Sequence, residues 1–237
     1  EIDFNSYSQN FLYKKNITMT ENLVQFANKI KSKKFIFTSS NSIFLGYDIQ
    51  VINDIHKPAP IDSYGKSKVY SENYIQSNFK NETIIFRCPM VLGPSRSGIF
   101  SILFELIKNN YNLWLFKKGN VKFQALYIQD LNNAIFKSLK YNKSSIFNLG
   151  TDKISSFNFS FTNLIKLSNS KTKIKSLPFF PFFLIILILN KLKLIPIGPY
   201  QVYLMTRSYI FDLKKVKKEL KWEPTLGNCD MLTIAFN

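Results

Sequence analysis

Tyr64 and Lys68 stand four residues apart in the stretch Ser-Tyr-Gly-Lys-Ser-Lys, residues 63–68. On a helix that spacing puts both side chains on one face, about a turn apart. A tyrosine is a poor base at neutral pH because its ordinary pKa is about 10. A neighbouring ammonium favours the phenolate and lowers that value, while burial raises it. Where the charge wins, Tyr64 can take or give a proton near neutrality. Ser42 supplies a hydroxyl that can hydrogen-bond the oxygen that gains or loses that proton. Tyr-x-x-x-Lys by itself is a weak pattern in so lysine-rich a chain, and Tyr70 and Tyr74 show how many aromatic residues share this segment.

Such a pair needs a helix to carry it and strand ends to face it. Hydrophobic periodicity predicts a helix over 17–30, with Leu23, Phe26, Ala27 and Ile30 on one stripe. An apolar run of strand length follows at 33–40, ending in small polar residues. A loop extends through residue 62, and a helix over 64–79 has Ser63 as its N-cap. The run Glu-Thr-Ile-Ile-Phe-Arg-Cys-Pro, residues 82–89, reads as a buried strand closed by Pro89. This alternation implies a parallel sheet with crossover helices, both strands central. Beyond it come a helix over 99–109, strands near 112–116 and 121–128, a helix from Asp130 to about residue 140, and a strand at 145–150. The last third reads as mainly helical, and there is no internal repeat. In an open parallel sheet ligands sit at the carboxyl ends of the strands. There Ser39, Ser40 and Ser42 leave one strand, Cys88, Pro89 and Met90 leave the next, and Tyr64 opens the helix between them.

At 237 residues and 46% hydrophobic content the chain can bury one large core or one with a smaller partner. Its formal charge of +17 raises a polyanion reading. Only Arg87, Arg96 and Arg207 are arginines, however, leaving 29 lysines scattered through the sequence. That reads as a solvated lysine surface, and no nucleic-acid site is expected. Cys88 and Cys229 lie far apart and the single His56 completes no zinc set, so reduced thiols and a cytoplasmic setting are expected. No N-terminal signal peptide is visible. The most apolar segment, residues 177–189, is short of the ~20 residues a spanning helix needs. It is expected to be a core helix, with an in-plane membrane contact flanked by Lys175 and Lys191 as the alternative.

The chain resembles the extended short-chain dehydrogenase/reductases, in particular the NAD-dependent epimerase/dehydratase group that acts on nucleotide sugars. Residues 16–23, Asn-Ile-Thr-Met-Thr-Glu-Asn-Leu, are similar to that family's Asn-Val-x-Gly-Thr-x-Asn-Leu. Residues 35–44 are similar to its Ser-Ser-x-Ser/Thr-Val-Tyr strand end, and 63–68 to its Tyr-x-x-x-Lys helix. Further matches are 86–94 with an Arg-Pro-x-x-Val-Tyr-Gly-Pro turn, 126–135 with a Val-x-Asp-Leu-x-x-Ala helix start, and 211–224 with an Asp-x-Ser-Lys-Ala-x-x-x-Leu-Gly-Trp-x-Pro ending. They occur in family order over nearly the whole chain.

The resemblance implies an α/β fold, a partial Rossmann-like doubly wound parallel sheet with a smaller, mainly helical C-terminal substrate domain. Residues 1–92 and 124–150 would form the NAD(P)-binding part, and 93–123 and 151–237 the substrate part. It implies a catalytic triad of Ser42, Tyr64 and Lys68. Asn16, Ser40, Tyr64, Lys68, Cys88, Pro89 and Met90 would lie on the cofactor side, the cofactor being NAD or NADP. Ser42, Tyr64, Arg96 and Arg207 would face a nucleotide-sugar substrate. The implied chemistry is hydride transfer at a sugar carbon, as an epimerase, dehydratase or reductase used in surface-polysaccharide assembly, with a homodimer paired through the two long helices. Reduction of a non-sugar carbonyl and a non-catalytic basic binding protein are the alternatives.

Departures from the family are equally legible. Its Gly-x-x-Gly-x-x-Gly turn, which lets backbone approach a pyrophosphate at a helix N-terminus, has no counterpart among the eight glycines. The chain also begins with Glu1, not Met. Together these suggest a partial product that binds NAD poorly by itself. Phe44 stands where the family has Tyr, and Met90 replaces an Asn. The segment 122–130 lacks a phosphate-contacting Arg, which leaves Arg96 and Arg207 as candidates for diphosphate recognition. Arg87, at the end of a buried strand, reads as structural.

Overall fold

A computed structural model of the chain describes residues 9–48, 50–95, 98–192, 194, 202 and 205–237. Helix α1, Gln9–Lys29, leads into strand β1, Lys34–Ser40, a 3-10 turn over Asn41–Phe44, and the short strand β2, Val51–Ile52. Helix α2, Ser63–Asn78, is followed by β3, Glu82–Cys88, and β4, Met90–Leu92. Next come α3, Ile99–Lys108; β5, Leu113–Phe116; β6, Lys122–Phe123; β7, Ala125–Tyr127; α4, Ile128–Leu139; and β8, Ser145–Asn148. The remainder comprises β9, Ser155–Ser156; α5, Phe157–Leu167; β10, Ile174–Leu177; α6, Phe179–Lys191; β11, Ile210–Phe211; α7, Lys214–Leu220; and α8, Asn228–Phe236.

The main sheet has the order β1-β3-β8, all parallel, as the alternating elements require. Strand β3 is central, with Thr83 to Cys88 all buried, and a near-continuous apolar run is what a strand covered on both faces needs. Strand β1 is not central: among the described residues it pairs only with β3 and its other edge is open. Its pattern agrees, since Lys34 to Phe37 are half-buried and Thr38 is exposed. Composition alone misses this because an edge strand that another strand can cover reads like an interior one.

Pro89 has no N–H to donate, and the β3 ladder ends just before it. The chain then enters a second, two-stranded parallel pairing, β4 with β7. Gln124 divides the run expected as one strand over 121–128, because its side chain turns inward. Its Nε2 donates to the carbonyl of Thr151 at 2.8 Å and its Oε1 accepts from Phe211 N at 2.8 Å. The last third holds strands that periodicity did not reveal: β10 pairs with β5 and β11 with β2. They are two to four residues long, too short for a period of two to register.

Helix α1 packs on α2 through Val24 and Ala27 against Ile75 and Phe79. The expected stripe is thus only partly right: Ala27 is buried, but Leu23, Phe26 and Ile30 are exposed. Helix α1 is apolar on two faces, and spacing alone does not say which of them meets α2. A separate core under α3, α5 and α8 gathers Phe104, Leu115, Phe161 and Leu232.

Candidate active site

The site begins with how β1 ends. Ser40 caps the 3-10 turn, its Oγ accepting from the backbone N of Ser42 at 3.2 Å. The Ser40 hydroxyl also lies against the Tyr64 phenol, where it draws the phenol's pKa down. Ser42 was the serine expected there. Its own hydroxyl instead lies fully buried with no hydrogen-bond partner, as does that of Ser39. The reason is local: the turn after Ser40 folds Ser42 under the start of α2, and Ser40, buried at the strand end, is left facing Tyr64.

Helix α2 starts with Asp62 as its N-cap, not Ser63; the Asp62 carboxylate accepts from Gly65 N at 2.8 Å. Gly65 is required by proximity, since a Cβ there would lie 2.7 Å from the Ser42 carbonyl oxygen. The first turn of α2 is thereby pressed against the turn that follows β1, which brings Tyr64 to Ser40. A second brace comes from α1. Asn16 Nδ2 donates to Ser67 Oγ at 3.0 Å, and Ser67 Oγ donates to the Tyr64 carbonyl at 2.8 Å. The amide of Asn16 therefore acts on the orientation of α2. Thr20 and Ser71 share a further bond of 2.8 Å between the helices.

Lys68 follows on the same face of α2, its Nζ 5.8 Å from the Tyr64 ring centroid and 4.6 Å from that of Phe37. It donates to the Thr38 carbonyl at 3.0 Å, which fixes it at the open edge of β1. Burial lowers the Lys68 pKa, and the neighbouring Cys88 and Glu72 oppose that. Tyr64 is 40% exposed as a residue, yet burial pushes its phenol above the ordinary value, with the Ser40 bond pulling the other way. The expected lowering of the phenol by Lys68 is therefore not met. The ammonium is turned toward a backbone carbonyl, and desolvation outweighs it.

Cys88 is the register partner of Ser40 at the strand ends. Burial pushes its thiol up to about 12. Pro89 is buried beside it and Met90 half-buried. Below the rim, Arg87 and Glu72 form a buried pair, with Nη2 to Oε2 at 2.7 Å and Nε to Oε1 at 3.1 Å. Arg87 is structural, as expected. Glu72, two turns beyond Tyr64, was not singled out in the sequence. The signal was available, since a buried arginine calls for a carboxylate.

Of the two arginines considered for the substrate, Arg96 lies outside the described residues. Arg207 lines a cavity of about 540 Å³ together with Lys117, Asp48, Tyr47 and Phe179. Lys117 escaped notice because nothing local marks it among 29 lysines. A wider cleft of about 690 Å³ lies at the opposite, amino end of the sheet, against Lys33, Lys34 and Glu82. Open parallel sheets place ligands at the carboxyl ends, so it is not the candidate.

The expected cofactor can be tested against this arrangement. At the carboxyl edge, orphaned buried hydroxyls and the trio Ser40, Tyr64 and Lys68 suit the reacting end of a nicotinamide nucleotide. For its pyrophosphate the described residues offer no glycine cradle. Gly46 and Gly65 both serve chain packing, against the carbonyls of Ala59 and Ser42.

Residues 2–150 match the family model described as the NAD dependent epimerase/dehydratase family. An uncharacterized protein, y4nG, of Sinorhizobium fredii is 27% identical over 208 residues, covering 86% of this chain and 52% of that protein. The human dTDP-D-glucose 4,6-dehydratase is 25% identical over 170 residues, covering 68% of this chain and 49% of the human protein. Among solved structures, UDP-glucose 4-epimerase of Thermotoga maritima with UDP-glucose superposes with a TM-score of 0.78 at 22% identity, over 97% of this chain and 70% of that one. The chain spans about half the length of these curated relatives. With more than half of its residues matched by the family model and the Rossmann-like fold in place, the chain belongs to the NAD-dependent epimerase/dehydratase family.

Proposed function

We propose that this chain carries the proton-transfer half of an NAD(P)-dependent epimerase, dehydratase or reductase acting on a nucleotide sugar. The observation that carries the reading is the placement of Tyr64 and Lys68 on one face of α2, the Lys68 Nζ 5.8 Å from the Tyr64 ring centroid and bonded to the Thr38 carbonyl near the carboxyl end of β1. Ser40, Tyr64, Lys68 and the backbone at Cys88 and Pro89 would hold the nicotinamide end of the cofactor, which when bound supplies the acceptor and donor of hydride. Tyr64 takes the proton of the sugar hydroxyl as hydride leaves the same carbon, and returns it when the carbonyl is reduced. With substrate bound, Ser40 would turn its single hydroxyl proton to the oxygen that bears the developing charge. Lys68, whose ammonium bonds the Thr38 carbonyl, would favour phenolate once that ammonium turns toward the phenol with cofactor and substrate bound.

Substrate placement is supported by chemistry: Lys117 and Arg207 bring two cations to one cavity, and a nucleotide diphosphate presents the complementary charge. Modified nucleotide sugars are what surface-polysaccharide assembly consumes, and we place the enzyme in that supply. The test is turnover of UDP- and dTDP-hexoses by the full-length protein with NAD or NADP. Tyr64→Phe is expected to lower kcat on the order of 100- to 10 000-fold while nucleotide-sugar binding persists. A Tyr64→Phe protein as active as its parent would overturn the reading.

A further inference from the structure

Helix α6 poses a separate problem. Its sequence, Phe-Phe-Pro-Phe-Phe-Leu-Ile-Ile-Leu-Ile-Leu-Asn-Lys, is apolar on every face, yet none of its side chains is buried. A helix apolar all round belongs in a core or a membrane, so the expectation of a core helix for 177–189 fails. Phe180 is 80% exposed, and Leu184, Ile185 and Ile188 are each about half-exposed. The helix is tethered at its start, where Phe179 meets the Phe116 ring at 5.7 Å. In β5, the strand that holds Phe116, Trp114 is 53% exposed, with Lys175 Nζ 5.4 Å from its ring centroid. An exposed apolar helix of this kind marks an interaction site.

The charge around it says with what. From Lys153 to Phe211 the sequence contains no Asp or Glu, but it contains seven lysines and Arg207. Of these, Lys191 is exposed at the end of α6, Lys175 in β10, the strand that leads to it, and Lys171 and Lys173 in the segment just before β10. A second copy docking face to face would set lysine against lysine. An anionic bilayer takes both features at once, apolar side chains into the acyl boundary and ammonium groups at the headgroups. Thirteen residues of helix span about 20 Å, against about 30 Å of hydrocarbon, and no helix among the described residues is long and apolar enough to cross a membrane. We infer that α6, with Trp114 and its lysine rim, is an in-plane docking surface for an anionic lipid bilayer. Phe179 also lines the cavity shared by Lys117 and Arg207, so docking holds that cavity near the headgroups. The inference does not rest on the catalytic reading.

Sedimentation of the full-length protein with phosphatidylcholine vesicles, with and without phosphatidylglycerol, tests it. Binding is expected only to the phosphatidylglycerol vesicles and to weaken with salt. The triple variant Phe180→Ser, Leu184→Ser, Ile188→Ser should lower the partition coefficient by about tenfold or more. Lys171→Gln, Lys173→Gln, Lys175→Gln and Lys191→Gln together should flatten the salt dependence. All of these side chains are exposed, and an unchanged thermal midpoint shows that the fold persists. Absent binding, equal binding to neutral vesicles, or a triple variant that binds like its parent overturns the inference. So does a dimer that the triple variant dissociates while neither protein binds vesicles, because the helix is then a contact between copies.

Discussion

At the scale of single residues, two serines compete for one role, and the difference between them is measurable. Ser40 lies against the Tyr64 phenol and draws its pKa down, whereas the Ser42 hydroxyl is buried without a partner. Ser40→Ala is therefore expected to slow turnover of the full-length enzyme by roughly 100-fold, in the range of a lost oxyanion donor. Ser42→Ala removes an unsatisfied buried hydroxyl and should leave turnover near that of the parent and stability equal or slightly higher. The reverse pattern in kcat would restore Ser42 to the catalytic position. Cys88 supports a second expectation. With its thiol at about 12 and buried, it should resist thiol reagents at pH 8 while the half-buried Cys229 reacts, so titration should count one thiol in the native protein and two after denaturation. The folded state keeps a proton that the unfolded state gives up near its ordinary value of 9.0. This contribution to stability is thus complete below about pH 9 and is lost as pH rises toward 12.

At the scale of elements, α2 is held by groups distributed along its whole length. Asp62 caps it, Gly65 lets it approach the turn after β1, Ser67 and Ser71 join it to α1, and Glu72 pins it to β3 through Arg87. The last contact is the most exposed to mutation in energetic terms. Glu72→Gln leaves the guanidinium buried without a counter-charge, and the expected cost is about 3–5 kcal/mol in denaturant unfolding. Replacing both partners, Glu72→Gln with Arg87→Met, should recover part of that loss. A Glu72→Gln protein as stable as its parent would show that the pair is not buried as described. Tyr64 lies two helical turns from Glu72, so activity should fall with stability and recover with it.

At the scale of the whole molecule, the defining feature is the edge of β1 that no strand covers among the described residues. Its unpaired backbone groups are a template for another strand. In the 237-residue polypeptide, amides of β1 directed away from β3 should exchange with solvent far faster than those of β3. They should become protected in a protein that supplies a glycine-turn strand beside them. The same polypeptide should show no saturable NAD binding in the micromolar range by calorimetry, because the described residues form no pyrophosphate cradle. Micromolar affinity for NAD would mean that residues other than glycines hold the phosphates.

The order of elements, the parallel sheet and the segment holding Tyr64 and Lys68 were legible in the sequence, because apolar runs, Pro89 and the four-residue spacing are local signals. Which serine meets Tyr64 was not legible. Ser39, Ser40 and Ser42 have the same chemistry, and only the turn capped by Ser40 decides which of them stays at the rim. Local pattern likewise could not separate an edge strand from a central one, or an exposed apolar helix from a buried one, since both depend on what packs alongside. The phenol's upward shift belongs to the same class: proximity of Lys68 is written in the spacing, but the direction of its ammonium and the depth of the site are set by β1 and Thr38. Sequence fixes which groups are available within a turn of helix, and the tertiary structure decides which of them desolvation and long-range contacts bring into play.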